Sequence, residues 1–206
     1  MPFGDIPLFR ELQRLLSAGG GPVNLEIARQ IAGSVAAQGP TFTAAPHDAT
    51  YFADAVRQSE VLVAGYSRLA FDEPNRTTTY TRSEWAMKTI DAWRWLMEHL
   101  ATRFTQELGK LGGEGEGEPL QAAMGQIGPL LMGMQAGTLV GQLSLEAVAR
   151  YDVPIPRDDE GLLFTVTPNV GTIVDDYGFD RDDLYRWMAV HEVSRHLCSL
   201  ATPWLD

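Results

Sequence analysis

A single cysteine, Cys198, stands in 206 residues. One thiol cannot close an intramolecular disulfide, so the fold must rest on packing, and such usage fits a reducing compartment. The amino terminus lacks the basic, then apolar, then small-residue order of a secretory signal. Both features set the expectation of a cytoplasmic protein. Positive charge is scarce: 16 Lys and Arg against 27 Asp and Glu leave a formal net charge of −11. That balance argues against a polyanionic partner, so neither nucleic acid nor an anionic membrane surface is expected. Histidine is sparse as well. Of four, His47 and His99 have no motif spacing, which leaves His191 and His196.

Charge of either sign is missing from Leu120 to Leu145, a length that raises the question of a membrane span. Gly133, Gly137 and Gly141 form a ladder at spacing four, as in closely packed membrane helices. Gln121, Gln126, Gln135 and Gln142 are spread along the same stretch, with Pro129 near its middle. Each amide would need a partner in hydrocarbon. The expectation is therefore a fully buried helix pair, its glycines admitting another helix, with the helix at 180–200 as the candidate neighbour.

What is present is mostly helical patterning. With 45% hydrophobic residues the chain can bury a sizeable core. Residues 5–18 and 25–37 read as two amphipathic helices, the second capped by Asn24. They make an N-terminal helical segment, 1–45, followed by a main domain, 46–206. A helix from Pro46 to about Ala70 comes next. Thr81-Arg82-Ser83-Glu84 then forms a capping box that opens a helix over 82–111, whose stripe of Trp85, Ile90, Trp93, Leu96, Met97, Leu100 and Phe104 reads as core. The acidic, glycine-rich loop at 112–119 cannot form a packed element. Leu162 to Thr167 is the best strand, and Asn169 a cap for a short helix after it. The fold class expected is mainly α with a small β element (α+β).

Asp180 to Leu200 reads as a helix with Asp180 as its cap and Asp182 and Asp183 at the positive end of its dipole. Its sequence, apolar nearly all round, suits a central helix. In its middle lies His191-Glu192. H-E-x-x-H on a helix puts two imidazoles on one face around zinc, with the Glu as general base. Here the run is His191-Glu192-Val193-Ser194-Arg195-His196. Arg195 stands where the second ligand belongs, and a guanidinium has no lone pair to give. His196 comes one residue late, about 140° round the helix from His191 at roughly 100° per residue. Cys198, two turns beyond His191, reads as buried packing.

Three segments carry a family resemblance: Leu130 to Gly137 (LLMGMQAG), Tyr151 to Pro156 (YDVPIP), and His191-Glu192-Val193 followed by Ala201 to Leu205 (ATPWL). In order and spacing they resemble a largely actinobacterial, zincin-like family of metallopeptidases, some of whose members are labelled as associated with synthesis of a deazaflavin cofactor. The likeness covers roughly residues 50 to 206. It implies a zincin-type scaffold and a metallopeptidase-like, hydrolase label, with zinc as the metal if a site is intact, and does not by itself imply a working zinc site. It also implies that Leu162 to Thr167 could be the edge strand beside a substrate cleft. Members supply a further acidic ligand downstream of the region matched, so the expectation is a chain ending at Asp206 without it.

Three readings follow. In the first the zinc motif is broken, peptidase activity is absent, and Glu192 pairs with Arg195 or His196 as a structural polar cluster. In the second the chain is a metal-dependent hydrolase through a non-standard site. His191 and His196 would be brought to one face by a π-bulge, or Glu192 and His196 would be ligands with help from elsewhere; the residues expected to act in a working enzyme are Glu192 as base and His191 as ligand. In the third it is a helical binding or assembly module, completed by another copy or by a partner chain.

Overall fold

The computed structural model describes residues 21–40, 47–111, 118–159 and 161–202. The reading of a helix at 5–18 lies outside them, as do most of the loop at 112–119 and the end of the ATPWL segment. Among the described residues there are seven helices and two short strands, in keeping with the mainly α, small β class. The chain forms two compact units. One takes residues up to Gln38 together with Ala86–Leu143, the other Gly39–Trp85 together with Ser144 onward.

The first unit is built on a close helix pair. Helix α1 (Leu25–Ala36) starts where Asn24, extended at φ −81° and ψ 92°, accepts a hydrogen bond from the Ile27 amide through its side chain. The later helix of this unit, Glu118–Leu143, is one continuous element with Pro129 inside it, not the pair expected. Its glycine ladder faces α1. A Cβ at Gly133 would lie 2.4 Å from Asn24 O, one at Gly137 2.5 Å from Ala28 O, and one at Gly141 2.6 Å from the Val35 side chain. The glycines therefore serve α1 and not the helix at 180–200. The Asn24 amide also donates to Pro129 O at 2.8 Å. The helix is not fully buried either, since Ile127, Leu131, Met134 and Leu139 are exposed. Among the described residues no helix is long and apolar enough to cross a membrane.

The second unit carries the site. Helix α2 (Asp48–Ser67) ends at Arg68, which takes the left-handed conformation at φ 60°. Strand β1 (Thr77–Tyr80) follows, and then α3 (Arg82–Ala92), opened by the expected capping box: Thr81 N and Oγ1 both donate to Glu84 Oε2, and the Glu84 amide donates to Thr81 Oγ1. The predicted 82–111 helix breaks at Trp93, and α4 (Arg94–Leu111) continues it in the first unit; Leu100 and Phe104 of the predicted core stripe are exposed there. The 118–143 helix is α5. Strand β2 (Leu163–Val166), α6 (Thr167–Tyr177) and α7 (Arg181–Ala201) complete the order.

Strands β1 and β2 pair in parallel, Thr77 opposite Leu163 through Tyr80 opposite Val166. On its other side β2 receives an antiparallel bridge from Ala149 to Thr165, and Val166 N donates to Val148 O at 2.8 Å. Both edges of β2 are thus taken and its residues are all buried, so it is not the edge strand of a substrate cleft. Asn169 does not cap α6. It is buried inside that helix, where Nδ2 donates to Ser144 O and Ala147 O at 2.9 and 2.6 Å and Oδ1 accepts from Arg82 Nε at 2.6 Å. The helix begins instead at Thr167, with Pro168 in its first turn, where a missing N–H costs nothing.

The core of this unit joins α2, β2, α6 and α7 through Phe52, Ala55, Val56, Leu163, Val170, Tyr185, Met188, Ala189 and Val193. Helix α7 is less central than its sequence suggests. Tyr185, Met188, Ala189, Glu192, Val193 and Leu197 face inward, while Trp187 and Leu200 are exposed. Cys198 is exposed too, contrary to its reading as buried packing.

Candidate functional site

The site begins with a well-anchored helix. Asp180 accepts from the Asp182 and Asp183 amides at 2.9 and 3.0 Å, fixing where α7 starts and hence which of its residues look inward. The helix is regular through His191–His196, so no π-bulge draws the two imidazoles together.

Glu192 is the residue turned inward, 1% exposed. Its carboxylate accepts from the Tyr151 amide, with Oε2 at 3.1 Å and Oε1 at 3.3 Å. His191 Nδ1 lies 3.2 Å from Glu192 Oε1. The expected partners Arg195 and His196 are therefore replaced by a backbone N–H and the preceding imidazole. The Tyr151 amide is delivered by a tightly held segment. Val148 N donates to Asp152 Oδ2 at 3.0 Å, and residues 148 and 149 are bound to β2 as described. Burial pushes the Glu192 acid up to about 7, the Tyr151 and Arg150 backbone hydrogen bonds only partly opposing it. His191 is shifted the other way, lowered by desolvation and by the Arg195 charge. The contact is thus a hydrogen bond between a neutral imidazole and a carboxyl that titrates near neutrality, rather than an ion pair.

His196 belongs to different surroundings. Its Nδ1 is 2.6 Å from the Tyr151 hydroxyl, and its ring lies against Phe71, nearly parallel at 6.4 Å between centroids. His191 instead stacks with the exposed Trp187 at 5.7 Å. Tyr151 is the hinge of the arrangement, its amide on Glu192 and its hydroxyl on His196. Burial raises its own acid above the ordinary phenol. Spacing could not reveal it, since 41 residues separate it from Glu192; the one signal was its place at the head of the YDVPIP segment. Beyond His196 lies an open groove of about 660 Å³, lined by the α2–β1 loop, Gly161 and the last turns of α7.

Zinc needs a converging set of donors, three or four in a protein site. The α7 face offers His191 and, one turn on, the exposed Arg195. His196 is turned to Tyr151, and Glu192 is folded inward. Among the described residues no three His, Cys, Asp or Glu converge as a metal would require. The described residues around His191 do not make up such a set.

The family comparison matches the zincin-like metallopeptidases over residues 23–206. The chain belongs to this family. A crystal structure from Chloroflexus aurantiacus, described as "a putative hydrolase with a novel fold", is similar to it at TM-score 0.66 and 25% identity, over 88% of this chain and 54% of that one. The zincin-like chain thus spans about half the length of that structure. No curated protein matches it. The matched region includes His191, Glu192 and Arg195.

Proposed function

We propose that this chain is a zincin-like hydrolase relative that has lost the helix-borne zinc site and does not cleave peptides by it. One observation carries the reading. Glu192, which would have to meet a water molecule to act as a general base, is 1% exposed and hydrogen-bonded to the Tyr151 amide. A base must lie within hydrogen-bond reach of the proton it abstracts, and this carboxylate instead joins the 148–152 segment to α7. The outward Arg195 supports the same reading, because it adds positive charge beside His191 where a dication would sit. The lone cysteine supports a reducing, cytoplasmic setting.

Elemental analysis of the purified protein and of His191→Ala, with a peptide-hydrolysis assay on both, tests this. Substoichiometric zinc that does not change with the substitution, and no hydrolysis above background, are expected. One zinc per chain that disappears in His191→Ala would overturn the proposal.

A further inference from the structure

The groove beside the C-terminal turns of α7 takes no part in the His191–Glu192 contact, since neither residue lines it. Its walls are set in advance. Arg68 closes α2 with its amide on Ala64 O at 2.9 Å, and Leu163 N donates to Arg76 O at 3.0 Å, so the loop between them is held at both ends. Glu60 holds it in the middle, accepting from Asn75 N and Nδ2 at 2.6 and 2.7 Å. A preformed groove loses little entropy when it is filled.

Part of the lining is apolar. Leu69 of the loop and Leu200 of α7, 45% and 56% exposed, line the groove together with the buried Leu197 of α7. The rim has charge. Asp72 and Glu73 are adjacent and exposed, two carboxylates against the single guanidinium of Arg76 in the same lining. The field of the whole chain is negative as well, at a net −11. An acidic occupant would be repelled by both, and a basic one attracted.

We propose that this groove docks a short segment of a partner protein in which two neighbouring apolar side chains are flanked by lysine or arginine. The apolar pair covers Leu69 and Leu200, and the flanking cation sits against Asp72 and Glu73. Exposed ion pairs are individually weak, so the apolar contact supplies the affinity and the rim the choice of partner. The site is independent of any metal at His191 and goes beyond the proposed function.

The test uses the full chain and two dansylated peptides, lysine-leucine-leucine-lysine and its counterpart with glutamate in place of lysine, followed by fluorescence anisotropy. The basic peptide is expected to bind and the acidic one not. Leu200→Asp should weaken binding by about tenfold or more, the loss of a central apolar anchor. The double change Asp72→Asn with Glu73→Gln should weaken it by roughly threefold and remove most of its salt dependence. All three positions are exposed, so unchanged melting temperatures would show that the variants fold. Equal binding of the acidic peptide, or binding indifferent to Leu200→Asp, overturns the proposal. So does a fall in the sedimenting mass of unliganded protein on Leu200→Asp, which would make a second copy the occupant.

Discussion

Glu192 has a carboxyl sealed in the second unit and an acid constant moved from 4.5 to about 7. The folded state therefore holds its proton more tightly than the unfolded chain does. Below about pH 4.5 both states are protonated and the group contributes nothing to the pH dependence. Between there and about pH 7 the unfolded chain has released its proton while the fold keeps it, so stability falls as pH rises, and levels off above. A full shift of this size corresponds to a few kcal/mol at about 1.4 kcal/mol per unit. Glu192→Gln keeps the acceptor for the Tyr151 amide and removes the titration. Denaturant midpoints from pH 5 to pH 8 should decline more steeply for the natural chain than for the variant, and parallel curves would contradict the assignment. Cys198 gives a second test at this scale. Leu184, Trp187 and Met188 share its side of α7, and that side is split between the core and solvent. Only Met188 of these is fully buried, and Cys198 lies on the open part. It should react with a chromogenic disulfide reagent in native buffer at a rate close to that of the denatured protein; protection would mean that something covers the face.

Among the elements, the starts of helices were legible because their signals are local. Asn24, the Thr81–Glu84 box and Asp180 each cap by a side chain within three residues of its target. Ends and neighbours were less legible, because packing decides them. No glycine or proline marks the break at Trp93, and Pro129 does not break α5. The glycine ladder told correctly that a helix comes close, but not that it would be α1. That closeness has a measurable consequence. Gly137→Ala gains up to about 1 kcal/mol of helix propensity, but its Cβ would meet Ala28 O at 2.5 Å and the Ile31 side chain at 3.0 Å. A backbone oxygen cannot rotate away, so the helices must separate. The expected result is a net loss of about 1–3 kcal/mol in a denaturant titration, as for other overpacked contacts. Gly125→Ala, on the same helix with nothing within 4 Å of the added carbon, should be neutral or stabilising. Equal effects at the two sites would mean that α1 and α5 are not in close contact.

At the scale of the molecule, the family was readable from three short segments, and the family match over residues 23–206 agrees with that reading. The site was only half readable. Arg195 at the position of the second His in H-E-x-x-H was visible in one line of sequence; the inward turn of Glu192 was not, because it depends on Tyr151 being brought to α7 by pairing with β2. These two departures separate in one variant. Arg195→His restores the spelling H-E-x-x-H and places two imidazoles one turn apart on the same face of a regular helix. Zinc should then bind measurably in a calorimetric titration, although weakly, since two donors fall short of the three or four of a protein site. Peptide hydrolysis should remain absent, because the carboxylate that must reach a water molecule is still buried against the Tyr151 amide. If Arg195→His instead both binds zinc and cleaves peptide, Glu192 is free to leave its partner, the lost ligand alone silences the site, and the burial of Glu192 loses its explanatory place.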